Sequence, residues 1–266
     1  MPLHVEVAGD GPPVVLLHGL TASHRYVVMG SRHLERSGHR VLAYDARGHG
    51  ASDPAPTPDA YGYEHLADDL VRVLEEHGMP RAVLVGASMG AHTALRVALR
   101  RPELVSGLVV VTPAWVPGNE THERGLAGWD RLAAGLESGG VDGFVDAYDF
   151  TRIPEDWQDT VRKVMHQRLS VHEHPAAVVD ALRAVPRSAP FDSLDELAAI
   201  DVPAVVVGDR DEADPGHPLA VAQRYAEALG DATLVVEDEG KSPIAWQGGQ
   251  LSRVIADLVE RTDAVG

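Results

Sequence analysis

AVLVGASMGAHTA, residues 82–94, runs from a block of apolar, β-branched residues into a stretch with helical spacing through Gly86-Ala87-Ser88-Met89-Gly90. A short apolar run of this kind reads as a strand buried on both faces. Small residues let strand and helix approach through a tight turn, which lifts the Ser88 hydroxyl clear of the sheet. The helix N-terminus beneath it favours negative charge developing beside the hydroxyl. Ser88 is therefore the candidate nucleophile; the plainer reading is a glycine-rich strand–helix turn with an incidental serine.

Outward from this turn, short β-type runs alternate with longer amphipathic stretches. HVEV (4–7) reads as an edge strand, PVVLLHG (13–19) as a buried one and RVLAYD (40–45) as a third. YEHLADDLVRVLEEHG (63–78) spaces its apolar residues as a helix does and stops at Gly78. LVSGLVVVTPA (104–114) is a further strand. Residues 114–195 carry helical periodicity and no convincing strand. The alternation then resumes with VPAVVVGD, PLAVAQRYAEALG, ATLVVED and QLSRVIADLVER. Alternating β and α with near-continuous apolar strands implies a mostly parallel sheet covered on both faces. The organisation expected is a core of residues 1–113 and 196–266, with a helical cap at 114–195 over one edge of the sheet.

Composition narrows the possibilities. A chain of 266 residues that is 44% hydrophobic is long enough to bury a core of its own. Its formal net charge of −17 argues against nucleic acid or an anionic membrane as partner. A small-molecule substrate is expected instead. Cysteine is absent, which excludes disulfides, thiolate metal sites and a cysteine nucleophile. No metal or organic cofactor motif is present. The N-terminal stretch lacks a basic segment followed by a long apolar one, and its apolar runs are too short to span a bilayer. A soluble, cytoplasmic protein is the expectation.

The elbow at Ser88, together with LLHGL (16–20) and DARGHGASD (45–53), resembles the α/β-hydrolase family over nearly the whole length of the chain. That resemblance implies an eight-stranded, mostly parallel sheet with a helical cap insertion, and an esterase- or lactonase-like serine hydrolase. It implies that the backbone N–H groups of Leu20 and Met89 hold the oxyanion, that His18 braces the oxyanion turn, and that the 45–53 loop is structural. The acid is expected after the strand that follows the cap. The family's spacing of Gly, two residues, then aspartate selects Asp211, leaving Asp209 and Asp214 as solvated loop carboxylates.

The base is expected in a loop that usually reads Gly-His. EDEGKSP (237–243) aligns that position with Lys241, one of only two lysines in the chain. An ammonium has three donors and no acceptor, so it cannot take the serine proton. Hydrolysis is then expected to be weakened or altered. Among the histidines, His217 is the substitute base to consider, against the plainer reading of a surface histidine; His92 is expected to pack against the sheet. Two further readings remain beside the hydrolase: a lyase or isomerase that uses Lys241 on the same scaffold, and a non-catalytic binding protein. Seven aromatic residues fall within 114–195, and Trp115 and Trp129 are the expected walls of an apolar pocket over Ser88.

Overall fold

A computed structural model of the chain describes residues 1–210 and 212–263. Each of the seven β-type runs becomes a strand: β1 (Val5–Ala8), β2 (Pro13–Leu17), β3 (Arg40–Tyr44), β4 (Ala82–Ala87), β5 (Val105–Val111), β6 (Ala204–Gly208) and β7 (Ala232–Val236). They form one sheet in the order β1-β3-β2-β4-β5-β6-β7. Only β1 runs antiparallel, against β3; the remaining pairs are parallel. The eighth strand implied by the family resemblance has no counterpart among the described residues. No β-type run in the sequence was left over to form one.

Among the described residues eight α-helices accompany the sheet: α1 (His33–Arg36), α2 (Tyr63–Glu76), α3 (Met89–Arg100), α4 (Glu123–Ala147), α5 (Glu155–Leu169), α6 (Pro175–Ala184), α7 (Leu219–Ala228) and α8 (Gly248–Asp263). The two-residue period of a strand divides the core. Val15 of β2 and Leu108 and Val110 of β5 join Ala91, Leu95 and Ala98 of α3 on one face. Their neighbours Val14, Leu16, Val109 and Val111 meet Leu251, Ile255 and Leu258 of α8 on the other. Both faces are closed, which is why these strands read as unbroken apolar runs. Truncating one such side chain, Ile255→Ala for instance, would cost about 2–5 kcal/mol. Among the described residues no helix is long and apolar enough to cross a membrane.

The chain between β5 and β6 is helical, as its periodicity indicates. α4 is folded on itself at Gly140, whose φ of 61° and ψ of −147° interrupt the helix. Leu136 and Phe144 of α4, Leu169 of α5 and Val178 and Leu182 of α6 pack against Leu20, Tyr63 and Met89. Leu20 follows the C-terminal end of β2, and Met89 follows that of β4. These helices therefore lie over the crevice between two neighbouring strands whose crossovers run in opposite directions, the position where parallel sheets bind ligands.

Candidate active site

Ser88 is the residue between β4 and α3, and its backbone is under strain, with φ 50° and ψ −109°. A non-glycine residue held there costs on the order of 1–3 kcal/mol, so the surroundings must fix it. They do so by close approach. A side chain at Gly86 would collide with the Gly90 carbonyl, and one at Gly90 would collide with the Leu17 carbonyl. The Ser88 N–H donates to the Val111 carbonyl at 2.9 Å, extending the β4–β5 ladder by one bond. The strained turn delivers the hydroxyl into a cavity of about 290 Å³ between the sheet edge and the cap helices.

The hydroxyl meets an imidazole. His217 Nε2 lies 2.9 Å from Ser88 Oγ, and His217 Nδ1 lies 2.9 Å from Asp214 Oδ2. The carboxylate can only accept, so Nδ1 carries the proton and Nε2 is left to accept from the serine hydroxyl. Asp214 and His217 come from one tight turn, Asp214-Pro215-Gly216-His217, closed by the His217 N–H donating to the Asp214 carbonyl at 3.1 Å. Their side chains are 18% and 23% exposed, so the pair is reachable from the cavity while largely withdrawn from water.

The electrostatics follow from that placement. Burial works against a charged Asp214, but His217, Arg168 and the Gly216 N–H outweigh it and hold its carboxyl below the usual range. Burial likewise opposes protonation of His217. The Asp214 charge and hydrogen bond, with Asp209 nearby, prevail and set the imidazole above the ordinary histidine value of 6.5. Behind them Asp209 is 1% exposed, and neither of its carboxylate oxygens has a hydrogen-bond partner among the described residues. Burial, together with the Asp214 charge, pushes it up to about 8. It is a buried, proton-bearing acid near neutrality.

The two backbone N–H groups expected to hold an oxyanion, those of Leu20 and Met89, follow the C-terminal ends of β2 and β4. Met89 is the first residue of α3, so its N–H has no acceptor within the helix. The Leu20 N–H belongs to the same planar peptide as the Gly19 carbonyl. His18 Nδ1 donates to that carbonyl at 2.8 Å, and the Ala22 N–H donates to it at 3.0 Å. His18 Nε2 in turn accepts from the Ala46 N–H at 2.9 Å. Burial, reinforced by His49, lowers the His18 pKa to about 3, so this brace stays neutral. The 45–53 loop is a scaffold: Asp45 accepts from the His24 and Ala51 N–H groups, and Arg47 bonds Asp69 at 2.7 Å. His92 is buried and joins Tyr63 to the chain at Trp115 through 3.0 and 3.3 Å bonds.

Several expectations are corrected. Lys241 does not meet Ser88. It is exposed in the turn after β7, where its N–H donates to the Asp238 carbonyl, and it does not line the cavity. The imidazole at Ser88 comes instead from the loop after β6. Asp211 lies outside the described residues. Asp214 and Asp209 are not solvated loop carboxylates: the first is bonded to His217 and the second is buried. Nor is His217 a surface histidine. Trp129 lines the cavity, but Trp115 does not. Trp115 is 6% exposed and stacks edge-on with Phe191 at 4.9 Å, so its ring belongs to the core. Reading the sequence also missed Met165, Arg168 and Trp246 in the cavity wall. The Asp-Pro-Gly-His turn was a legible signal, because such a turn sets its first and last side chains together.

One group of side chains among the described residues could hold a metal ion. His4, Glu6 and His24 bring ligand atoms within 4.8 Å of one another at the β1 edge, and none of the three lines the Ser88 cavity.

The comparisons with known proteins agree with this architecture. A family model described as the alpha/beta hydrolase fold matches residues 12–139. A protein of Variovorax paradoxus named "Putative carbamate hydrolase RutD" is 33% identical over 276 residues, covering 100% of this chain and 99% of its own. A second protein of that name, from Pseudomonas savastanoi, is 32% identical over 87% of this chain and 86% of its own. Among solved structures, a thermophilic esterase from Thermogutta terrifontis superposes with a TM-score of 0.79 at 23% identity. It covers 98% of this chain and 93% of that one. An enol-lactonase from Burkholderia xenovorans gives 0.77 at 23% identity, over 97% and 96%.

Proposed function

We propose that this chain, which belongs to the α/β-hydrolase fold family, hydrolyses a small ester, lactone or carbamate with Ser88 as nucleophile, His217 as base and Asp214 as its orienting acid. Membership makes the chain a hydrolase of the α/β type; the assignment of roles is our reading. The observation that carries it is the pair of 2.9 Å contacts, Ser88 Oγ to His217 Nε2 and His217 Nδ1 to Asp214 Oδ2. The carbamate enters from the names of the relatives, the ester and lactone from the chemistry of an activated serine beside an apolar cavity.

The reaction follows from the groups present. Ser88 Oγ attacks the substrate's carbonyl carbon while His217 Nε2 takes its proton. The carbonyl π pair moves onto oxygen, which the Leu20 and Met89 N–H groups receive. Asp214 stabilises the imidazolium formed. When the tetrahedral adduct collapses, the leaving oxygen or nitrogen takes the proton from His217, and an acyl group remains on Ser88. Water then attacks that acyl carbon with His217 again as base, releasing the acid and the free serine. The strained elbow and braced turn hold these donors before substrate arrives, so no reorganisation is needed as charge develops.

The reading in which Lys241 polarises a substrate carbonyl loses its footing, since that side chain is exposed away from the cavity. The test is labelling by a fluorophosphonate, read by peptide mass. One phosphonyl group should appear on Ser88, with labelling abolished in Ser88→Ala and slowed by orders of magnitude in His217→Gln. An unlabelled Ser88 in a protein that also fails to turn over aryl esters would refute the assignment.

A further inference from the structure

The cavity wall contributed by α5 has a regular origin and one irregular member. Val161, Val164, Met165 and Arg168 all line the cavity. Their spacing of i, i+3, i+4 and i+7 is that of a single helical stripe. Three positions are apolar, as a stripe facing an enclosed space should be. The fourth ends in a guanidinium.

Four other arginines of the cap helices and their flanks, Arg152, Arg162, Arg183 and Arg187, have partners. Arg152 donates to the Pro215 carbonyl at 3.0 Å, Arg162 stacks on Phe150 at 3.7 Å, and Arg183 and Arg187 pair with Glu137 and Asp130. Arg168 differs. Its Nε is buried with no hydrogen-bond partner among the described residues, although the side chain lies along the cavity. Burial pulls its pKa down, while Asp214, Tyr26 and Asp209 act to keep it charged. A guanidinium does not lose its proton in a protein, so the desolvated cation calls for an anion.

Among the described residues neither neighbouring acid hydrogen-bonds the guanidinium. The Asp214 charge acts on Arg168, but Asp214 Oδ2 is bonded to His217, and burial raises the Asp209 pKa to about 8. Among the described lining residues Asp214 is the one carboxylate. In a chain of net charge −17, Arg168 puts a cation in the wall of the cavity that holds Ser88. That contrast selects ligands by charge.

We propose that Arg168 binds a carboxylate carried by the substrate, so that the substrates of Ser88 are small anionic esters or carbamates. This rests on the Ser88–His217 reading above and names its substrate class. A planar guanidinium receives a carboxylate through two parallel hydrogen bonds, fixing the position of the reactive carbonyl as well as adding affinity. Arg168 is a positioning and specificity residue, since no bond is made or broken at it.

The test compares esters that end in a carboxylate with partners that end in an alkyl group: monomethyl glutarate with methyl valerate, and O-acetylglycolate with propyl acetate, followed by acid release at constant pH. Wild-type protein should favour the anionic member of at least one pair. Arg168→Met should lower kcat/KM for that ester about tenfold to a hundredfold, the effect of hydrogen bonds to a charged group. The loss should lie mainly in KM and should exceed any loss with the neutral partner by at least about tenfold. Arg168→Lys should recover part of it. If Arg168 only balances Asp214, Arg168→Met will depress both members equally and shift the pH profile, which overturns the proposal. Phosphonylation of Ser88 keeps the two readings apart. If Ser88 is labelled while no ester is hydrolysed, calorimetry of the anionic esters on Ser88→Ala decides: binding lost in Ser88→Ala/Arg168→Met supports the proposal, and no binding overturns it.

Discussion

Ser88 and His217 stand 129 residues apart in the chain, yet their Oγ and Nε2 atoms lie 2.9 Å apart at the C-terminal edge of the sheet. The serine arrives from β4 and the imidazole from the loop after β6, with β5 between those strands. His217→Ala should therefore lower aryl-ester turnover by up to about a millionfold, the scale of losing the base from such a triad. Lys241→Ala should stay within twofold, and Lys241→His should bring no gain. Steady-state rates of the three variants at one pH decide it. A large loss in Lys241→Ala would return the base to the loop after β7.

The acid can be separated from the base through pH. His217 must be neutral to accept the serine proton, so kcat/KM should rise with pH through its pKa. The Asp214 charge and hydrogen bond overcome burial and set that pKa above 6.5. The ascending limb should accordingly have its midpoint above that value in the wild type. Asp214→Asn removes the charge that holds the proton, so the midpoint should move down while the plateau falls by about ten-thousandfold. A limb that stays in place in Asp214→Asn would mean that another group controls the titration.

The two tryptophans divide by location. Trp129→Ala opens the cavity wall and should shift the preference between short and long acyl chains by about tenfold, as apolar pocket contacts do. Trp115→Ala removes a ring stacked with Phe191 in the core. It should cost about 3–5 kcal/mol in urea unfolding and leave the chain-length profile as it was. Chain-length profiles and unfolding curves for both variants give the comparison.

What could be read in advance sorts by the range of the signal. The elbow was legible because everything that makes it is local: a buried strand, a helix start, and glycines whose side-chain-free approach the turn demands. The seven strands and the helical insertion followed from hydrophobic period in the same way. The base was misplaced because it was located by family spacing in a loop, where no periodicity constrains the backbone. Asp214 and His217 form their pair within four residues, so turn chemistry could have found them, but only folding brings that turn to Ser88. Trp115 and Trp129 look alike in sequence. One ring turns toward Phe191 and the other toward the cavity, a difference made by packing alone. Arg168 was missed, because its place in the cavity wall and its want of a partner arise only when α5 packs over the sheet.

The buried acid makes the last prediction, on stability. Asp209 has its pKa raised to about 8 chiefly by burial, with the Asp214 charge adding to it. An unfolded aspartate titrates near 3.8, so between these values the folded chain holds a proton that the unfolded chain has released. Stability from this group is fully present below the lower value and is lost as pH rises through the upper one. Its contribution to the slope can reach about −1.4 kcal/mol per pH unit within that window. Asp209→Asn keeps the shape and removes the titration. The wild type should therefore lose stability between pH 5 and about pH 8 relative to the asparagine variant, and the two curves should converge toward acid. Urea unfolding of both proteins across that range measures the difference. Parallel curves would show that Asp209 is already ionised in the folded chain, and that a partner for its carboxylate exists which burial alone does not reveal.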